Sequence, residues 1–174
     1  IEEVARIIGY QKLPMTPPLA PIQAASRTES TRSPHAVRRA MASLGYQETI
    51  NFSFVEESWE KDLAGNPNPI RLLNPIAAPL AVMRSSLIGS LVGVLRHNLS
   101  RKASRARIFE LGRVFVRDSS VKASLKTLEG IRQPLMLAGL VYGSPETLQW
   151  TAPERQVDFF DVKGDVETLL GPLP

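Results

Sequence analysis

Arginines and paired carboxylates are the residue types in this chain whose positions could support chemistry. Glu2 and Glu3 are adjacent carboxylates, and such a pair suits a hard, oxygen-liganded cation when other acids and waters complete the shell. A structural interpretation competes with this one. Both residues open a predicted helix over residues 1–8, where negative charge favours the helix dipole, and spacing alone favours this structural interpretation.

Arg84 stands alone among apolar residues in a turn just before a predicted helix. A guanidinium in such surroundings needs a counter-ion, because an unpaired buried charge is strongly destabilising. Two partners are open for it. One is a buried acid such as Glu110, and the other is a carboxylate of a partner protein.

A basic segment, residues 96–107, follows an apolar stretch, and no acid occurs between Asp62 and Glu110. Its basic side chains are Arg96, His97, Arg101, Lys102, Arg105 and Arg107. Such residues suit a helix C-terminus and could also meet a polyanion. The two histidines, His35 and His97, stand apart in the sequence, so we expect no histidine-rich metal site and no Ser-His-Asp arrangement.

Helical periodicity predicts the element that positions Arg84 and the basic segment. Apolar residues recur on one side of a helix from Leu87 to about Leu99, and Ser85 or Ser86 can cap it. Gly89 and Gly93 each cost about 1 kcal/mol of helix propensity relative to alanine. We therefore expect a neighbouring strand or helix to approach that face closely.

Strand patterns flank this helix. Residues 107–116 predict a strand with Gly112 as a bulge or close-approach point, and residues 46–54 alternate as a half-buried strand does. Residues 135–142 form a nearly continuous apolar run, which predicts a strand buried on both faces in the centre of a sheet.

Two further helices are marked by their ends. Ser33 with Pro34 predicts a helix start and Gly45 its end, and a last helix begins near Asp158. The acids at helical spacing in this last helix indicate a solvated face. Its predicted apolar face consists of Phe159, Val162, Val166, Leu169 and Leu170.

The bulk composition excludes several classes of protein. The chain has 174 residues, of which 43% are hydrophobic and 22% charged, which is ordinary for a globular domain with a core. It has no cysteine, so disulfides, thiolate chemistry and cysteine-based zinc sites are excluded. No apolar run approaches the ~20 residues that span a bilayer. The simplest expectation is a cytoplasmic protein with no membrane partner, and the net charge of +4 permits nucleic-acid contact without requiring it.

Five segments carry a resemblance to a known family. Residues 72–98 (LLNPIAAPLAVMRSSLIGSLVGVLRHN) and 107–115 (RIFELGRVF) resemble two recognisable segments of the bacterial phenylalanyl-tRNA synthetase beta subunit. Residues 1–10, 131–143 and 157–170 resemble further parts of the same region. The resemblance spans essentially the whole chain, and the chain corresponds to part of that subunit.

The resemblance implies a fold and a domain organisation. The fold is α+β and class II aminoacyl-tRNA synthetase-like, an antiparallel sheet flanked by helices, catalytically degenerate and truncated at the C-terminus. Residues 1–10 would be the C-terminal helix of the preceding small domain. Residues 11–30 would be a proline-rich linker, and residues 31–174 an incomplete class II synthetase-like module.

The resemblance also bears on catalysis. A functional class II site needs a motif 2 arginine, because a planar guanidinium can bridge the ATP α-phosphate and the amino-acid carboxylate. In the segment from Gly112 to Asp118 that position is occupied by Val116. Arg117 would point to the opposite face of a strand and is no simple substitute. We therefore expect this chain alone to be inactive, with ATP used on the alpha subunit.

The family further implies a metal and an interface. The acidic pair that matches Glu2 and Glu3 is assigned to Mg²⁺ together with upstream aspartates that this chain lacks, so the site is incomplete here. The helix that begins after Ser33 resembles motif 1, and by this resemblance Val37, Arg38 and Met41 lie at the interface with the catalytic alpha chain.

The predicted function is a scaffolding and subunit-association module of the phenylalanine–tRNA ligase beta subunit. The holoenzyme would contain two alpha and two beta subunits and attach phenylalanine to its tRNA with ATP. The alternative is a stand-alone RNA-binding module in which residues 96–107 follow phosphates. RNA binding without the alpha subunit, falling steeply with salt, would favour the alternative.

Overall fold

The computed structural model divides the chain into two compact units, residues 1–31 and 32–174. The residues that the structure describes are 2–17, 19–20, 32–125, 127–147, 149–150 and 155–171. The first unit contains helix α1, Glu2–Ile8, and a 3₁₀ helix, Tyr10–Lys12. Most of the predicted linker lies outside the described residues. Every helix in the described part of the chain is too short or too polar to span a bilayer.

The second unit alternates helices with short strands. In chain order its elements are α2 (Pro34–Ser43), β1 (Gln47–Glu48), β2 (Phe54–Val55), α3 (Glu57–Asp62), β3 (Ile70–Arg71), β4 (Val82–Met83), α4 (Ile88–Ser100), β5 (Ala106–Arg113), β6 (Val116–Arg117), β7 (Ile131–Arg132), β8 (Leu135–Tyr142) and α5 (Phe159–Leu170). This mixture is α+β, as the sequence predicted.

The described strands form three small sheets. The largest has the order β1-β5-β8, and β5 and β8 pair antiparallel along their whole length, from Ala106 opposite Tyr142 to Arg113 opposite Leu135. The second sheet has the antiparallel order β2-β4-β3, and β6 pairs antiparallel with β7. One pair departs from the expected antiparallel arrangement, since β1 runs parallel to β5.

The core lies on both faces of the largest sheet. Met41 of α2, Tyr46 and Phe109 form a buried cluster, and Leu169 of α5 packs against it. Because side chains alternate across a strand, the neighbours of Phe109 on β5 point to the opposite face. On that face the start of α4 covers the sheet, where Leu91 is fully buried. The sheet therefore has α2 and α5 on one face and α4 on the other.

Two strand predictions were wrong. The segment from Tyr46 to Phe54 is not one strand: β1 ends at Glu48, and the next strand belongs to a different sheet. Residues 135–142 do form a strand, yet β8 is an edge strand of the described sheet, and Leu135 and Met136 are nearly half exposed. An apolar run identifies a strand but does not tell how many neighbours it has.

The predicted helix positions agree with the structure, but the predicted apolar face of α5 does not: Leu169 packs against the core cluster, whereas Phe159, Val162, Val166 and Leu170 are 37–76% exposed. The Ser33 hydroxyl accepts a hydrogen bond from the Ala36 N–H at the start of α2, and Gly45 follows its end with a φ of 82°. Asp158 caps α5 in a reciprocal capping box with Asp161. At α4, the Ser86 hydroxyl accepts from the Ile88 N–H. Local capping chemistry thus sets the starts of α2 and α5, whereas the predicted serine cap of α4 is wrong, because its N-cap residue is Leu87 and makes no side-chain cap bond.

The expected close approach to α4 is made by the side chain of Trp59 in α3. A Cβ added at Gly93 would lie 2.9 Å from the Trp59 ring, and one added at Gly89 would lie 3.1 Å from it. The packing of this indole on the helix therefore requires a glycine at position 93 and leaves only a tight space for a Cβ at position 89.

Candidate functional site

A buried ion pair occupies the interior beneath α4. Arg84 is 2% exposed and Glu110 is 4% exposed, and Arg84 Nη2 lies 2.7 Å from Glu110 Oε1. The Asn51 amide donates to the second carboxylate oxygen at 2.8 Å. Of the two partners left open for Arg84, the structure shows the buried acid.

The remaining donors of Arg84 join separate segments of the chain. Nε donates to the Arg113 carbonyl at 3.2 Å, and Nη1 lies 3.4 Å from both the Phe52 carbonyl and the Ser90 hydroxyl. A buried ion pair is stable only when such additional hydrogen bonds satisfy its remaining donors. The network connects β5, the loop before β2 and the first turn of α4, so it is a structural junction.

Gly112 makes room for this network. A Cβ at this position would overlap with the Arg84 guanidinium and lie 2.9 Å from Glu110 Oε1. The sequence predicted a bulge or a close-approach point here, and the structure shows the second.

Sequence reasoning missed a second buried acid, Glu60 of α3, which is 2% exposed. Its carboxylate accepts from the backbone N–H of Ser85 at 2.9 Å, from the Ser85 hydroxyl at 2.5 Å and from the Asn66 amide at 2.8 Å. It thereby fixes the turn that carries Arg84. In the sequence, only its place beside Trp59 on a short predicted helix could have indicated that Glu60 is buried.

In the segment that resembles motif 2, both exposed arginines donate hydrogen bonds to backbone carbonyls. Val116 lies in β6 opposite Arg132 of β7. Arg117 donates to the Asn68 carbonyl at 3.3 Å, and Arg113 donates to the Gln133 carbonyl at 2.6 Å. Both guanidinium groups are thus used to hold neighbouring loops.

A second polar cluster fastens α5 to the other face of the sheet. Tyr46 Oη donates to Asp165 Oδ2 at 2.7 Å, Arg107 pairs with the same carboxylate, and the guanidinium of Arg107 lies 4.5 Å from the centre of the Tyr46 ring. Burial and the carboxylate of Asp165 raise the pKa of Tyr46 to about 12. The phenol is therefore held neutral, as a donor.

The acids of α5 are not one solvated face, as the sequence had suggested. Asp158 caps the helix and Asp161 pairs with Arg155, which lowers the pKa of the Asp161 carboxyl well below its usual range. Asp165 faces the sheet and belongs to the polar cluster. The structure therefore corrects the prediction for Asp165.

The predicted metal ligands lie in the first unit, on exposed turns of α1. Glu2 and Glu3 both pair with Arg6, at 3.7 and 3.5 Å. Among the described residues, no group of three or more histidines and acids is close enough to share an ion. Two carboxylates supply only part of the shell that Mg²⁺ requires.

The predicted interface residues of α2 lie in three environments. Met41 is 5% exposed and belongs to the core of this chain, so it can support a partner surface only indirectly. Arg38 forms an ion pair with Glu48 at 2.6 Å. Val37 is half-buried, and His35 and Arg39 beside it are exposed.

Comparisons with known proteins place these features in a family context. The family described as the phenylalanyl tRNA synthetase beta chain CLM domain matches residues 13–173. A phenylalanine–tRNA ligase beta subunit from Burkholderia pseudomallei is 58% identical over all 174 residues of the chain, which cover 22% of that protein. One from Bordetella bronchiseptica is 55% identical over 171 residues, 98% of the chain and 21% of its own length. The chain thus spans about a fifth of these curated relatives.

Proposed function

Because the chain belongs to the phenylalanyl-tRNA synthetase beta chain family, we propose that it is a non-catalytic module for scaffolding and subunit association in a phenylalanine–tRNA ligase. The module has a catalytically degenerate class II synthetase-like fold. The complete enzyme activates phenylalanine with ATP on an alpha subunit and transfers it to its tRNA in the cytoplasm. Residues 31–174 form the module, and residues 1–10 end the preceding small domain.

The observation that carries the non-catalytic part of the proposal is the state of the motif 2 segment. The position that needs an arginine holds Val116, and the adjacent arginines, Arg113 and Arg117, are bound to backbone carbonyls. The side chain of Val116 has no donor with which two adjacent oxyanions could be bridged as charge develops on them.

Amino-acid activation by the assembled enzyme, measured as ATP–pyrophosphate exchange, tests this part. Replacing both Arg113 and Arg117 by alanine should leave the rate of ATP–pyrophosphate exchange within about twofold of wild type, because the reacting groups lie on the alpha subunit. The matched control removes the motif 2 arginine of the alpha subunit, which should abolish exchange. A loss of exchange from the Arg113 and Arg117 variant, with assembly intact, would reject the proposal.

The association part of the proposal assigns the partner surface to α2. Val37 and Arg38 lie on the side of the helix that its core residue Met41 supports, and these two residues meet the alpha subunit, with Met41 beneath them, in an assembly of two alpha and two beta chains. The half-buried position of Val37 supports this, since a partner can bury the exposed part of an apolar side chain that lies at the edge of a core.

The metal part of the proposal assigns Glu2 and Glu3 as two ligands of Mg²⁺. Their carboxylates are exposed and would have to leave Arg6, to which both are paired, while waters and other acids complete the octahedral shell. Calorimetric titration of the complete beta subunit with Mg²⁺ tests this. Glu2→Gln with Glu3→Gln should remove the binding heat, and heat unchanged from wild type would reject the assignment.

A further inference from the structure

An open groove lies between α3, α4 and the loop before β2, and it borders the ion-pair network at Asn51, Phe52 and Ser90. Its volume is about 400 Å³ and its walls are mostly apolar, including Phe54, Trp59, Leu80 and Val94. Phe52 also lines it and is 65% exposed, which is unusual for a phenylalanine. The backbone carbonyl of Phe52 accepts a hydrogen bond from the buried Arg84, and this bond holds the backbone that carries the exposed ring.

The groove continues towards the basic end of α4. Ser90, Gly93, Val94 and His97 of this helix line it. Residues four apart lie on the same side of a helix, so Arg101 extends the line beyond His97. The aromatic groove, His97 and Arg101 therefore share one side of α4, whereas Arg96 lies about 100° around the helix from His97.

The basic end of α4 consists of Arg96, His97, Arg101 and Lys102, all of them exposed. Arg105 and Arg107, which the sequence grouped with them, are used internally: Arg105 donates to the carbonyls of Ser144 and Pro145, and Arg107 pairs with Asp165. Within the described ranges, no ion pair or side-chain hydrogen bond is formed by Arg96, Arg101 or Lys102.

We propose that this groove binds an unpaired nucleotide of RNA, with its base against Phe52 and Trp59 and its neighbouring phosphates on Arg96, Arg101 and Lys102. The inference rests on the proposed function, since the RNA it takes is the tRNA of the ligase. Single-stranded nucleic acid is held by this combination of aromatic faces and cations.

The charges and sizes agree with this occupant. No acid occurs from residue 63 to residue 109, so the basic end has no internal competitor in the adjoining sequence. Glu56 is the one carboxylate in the groove lining. It accepts a hydrogen bond from the Ser58 hydroxyl and can also accept one from an exocyclic amine of a base. Arg96 and Arg101 are five residues apart, about 7.5 Å along the helix axis and about 140° around it, so a strand whose phosphates contact both must pass around the end of the helix.

Binding of labelled tRNA to the complete beta subunit assembled with its alpha subunit tests the inference. Replacing Arg96, Arg101 and Lys102 by glutamine should weaken binding at least about tenfold and reduce the slope of log affinity against log salt by about 2. The matched control replaces three exposed lysines outside the groove, Lys12, Lys61 and Lys122, by glutamine. It should leave the salt slope within experimental error of wild type.

The aromatic part has its own pair of variants. Phe52→Ala should weaken tRNA binding about tenfold with an unchanged salt slope, because stacking is lost and no charge is removed. Phe159→Ala on α5, a comparably exposed ring, should have no effect.

Light scattering of the same assemblies separates the two proposals. If Phe52→Ala and the triple arginine and lysine variant bind tRNA like their controls while still assembling, the RNA site is refuted and the scaffold proposal stands. If Phe52→Ala prevents assembly without altering tRNA binding by the beta subunit, the groove holds a protein segment and the RNA site is likewise refuted. Displacement of tRNA by free AMP at equal phosphate concentration would also refute the RNA site, because it would show that the groove binds a free nucleotide.

Discussion

At Gly112 the absence of a side chain lets the Arg84 guanidinium reach Glu110. Gly112→Ala should lower the free energy of unfolding by about 1–3 kcal/mol, because the added methyl group must displace a fully hydrogen-bonded pair. Urea unfolding of the chain, followed by tryptophan fluorescence, measures this.

Gly164→Ala in α5 is the matched control. Nothing lies within 4 Å of a Cβ built there, so the same substitution should raise stability by about 0.5–1 kcal/mol through helix propensity. Equal effects at both glycines would contradict the packing explanation.

The Arg84–Glu110 pair should behave as a coupled unit. Arg84→Met or Glu110→Leu alone should each cost about 3–5 kcal/mol, because each leaves an uncompensated buried charge. The double substitution should cost less than the sum of the single ones, and a double-mutant cycle by urea unfolding measures the difference. Additive losses would show that the pair is not coupled.

Tyr46 gives a prediction for alkaline pH. Its pKa is about 12 in the folded chain against an ordinary value of 10.0. A raised folded-state pKa gives stability that is fully present below about pH 10 and is lost as the pH rises through about 12. The urea midpoint should therefore fall across this range, and the fall should be smaller in Tyr46→Phe, although that variant is less stable at neutral pH because it lacks the bond to Asp165. Parallel pH profiles would contradict the assignment.

These residues also show what sequence can reveal about a site. Glu110 was a predictable partner for Arg84 because both interrupt apolar surroundings in a stretch otherwise free of acids. Glu60 and Asp165 were not, because acids on amphipathic helices are ordinarily solvated. Their partners, Ser85 and Arg107, lie far away along the chain.

Among the elements, α4 depends on α3 through Trp59. Gly93→Ala should destabilise the chain by about 1 kcal/mol or more, because overlap with the indole outweighs the gain in helix propensity. In a Trp59→Leu background the same substitution should become stabilising, since the ring is gone. Urea unfolding of the four variants measures this reversal, and a Gly93→Ala effect of the same sign and size in both backgrounds would contradict it.

Helices were predicted better than strands for a physical reason. Helix ends depend on local capping by residues such as Ser33 and Asp158, which can be read from sequence. Residues 46–54 alternate as a strand does, yet the Thr49 N–H donates to Phe109 in one sheet and the Ser53 carbonyl accepts from Arg84 beside another. Long-range pairing divides the segment, and no local pattern records this.

For the whole molecule, the motifs of residues 72–98 and 107–115 carried more information than periodicity did. The resemblance that they indicated is confirmed, because the chain belongs to the phenylalanyl-tRNA synthetase beta chain family. The proposed partner surface could not be predicted to the same detail. The resemblance to motif 1 placed Met41 at the interface, whereas its side chain fills the core of the chain.

The central claim is that this module associates with the alpha subunit through α2, and light scattering of the complete beta subunit mixed with its alpha subunit tests it most directly. Val37→Arg should prevent the mixed assembly while circular dichroism shows a folded subunit. Ala42→Arg, about 140° away around the helix, should assemble like wild type. Assembly of Val37→Arg with wild-type stoichiometry and affinity, or failure of the wild-type subunits to associate, would contradict the claim.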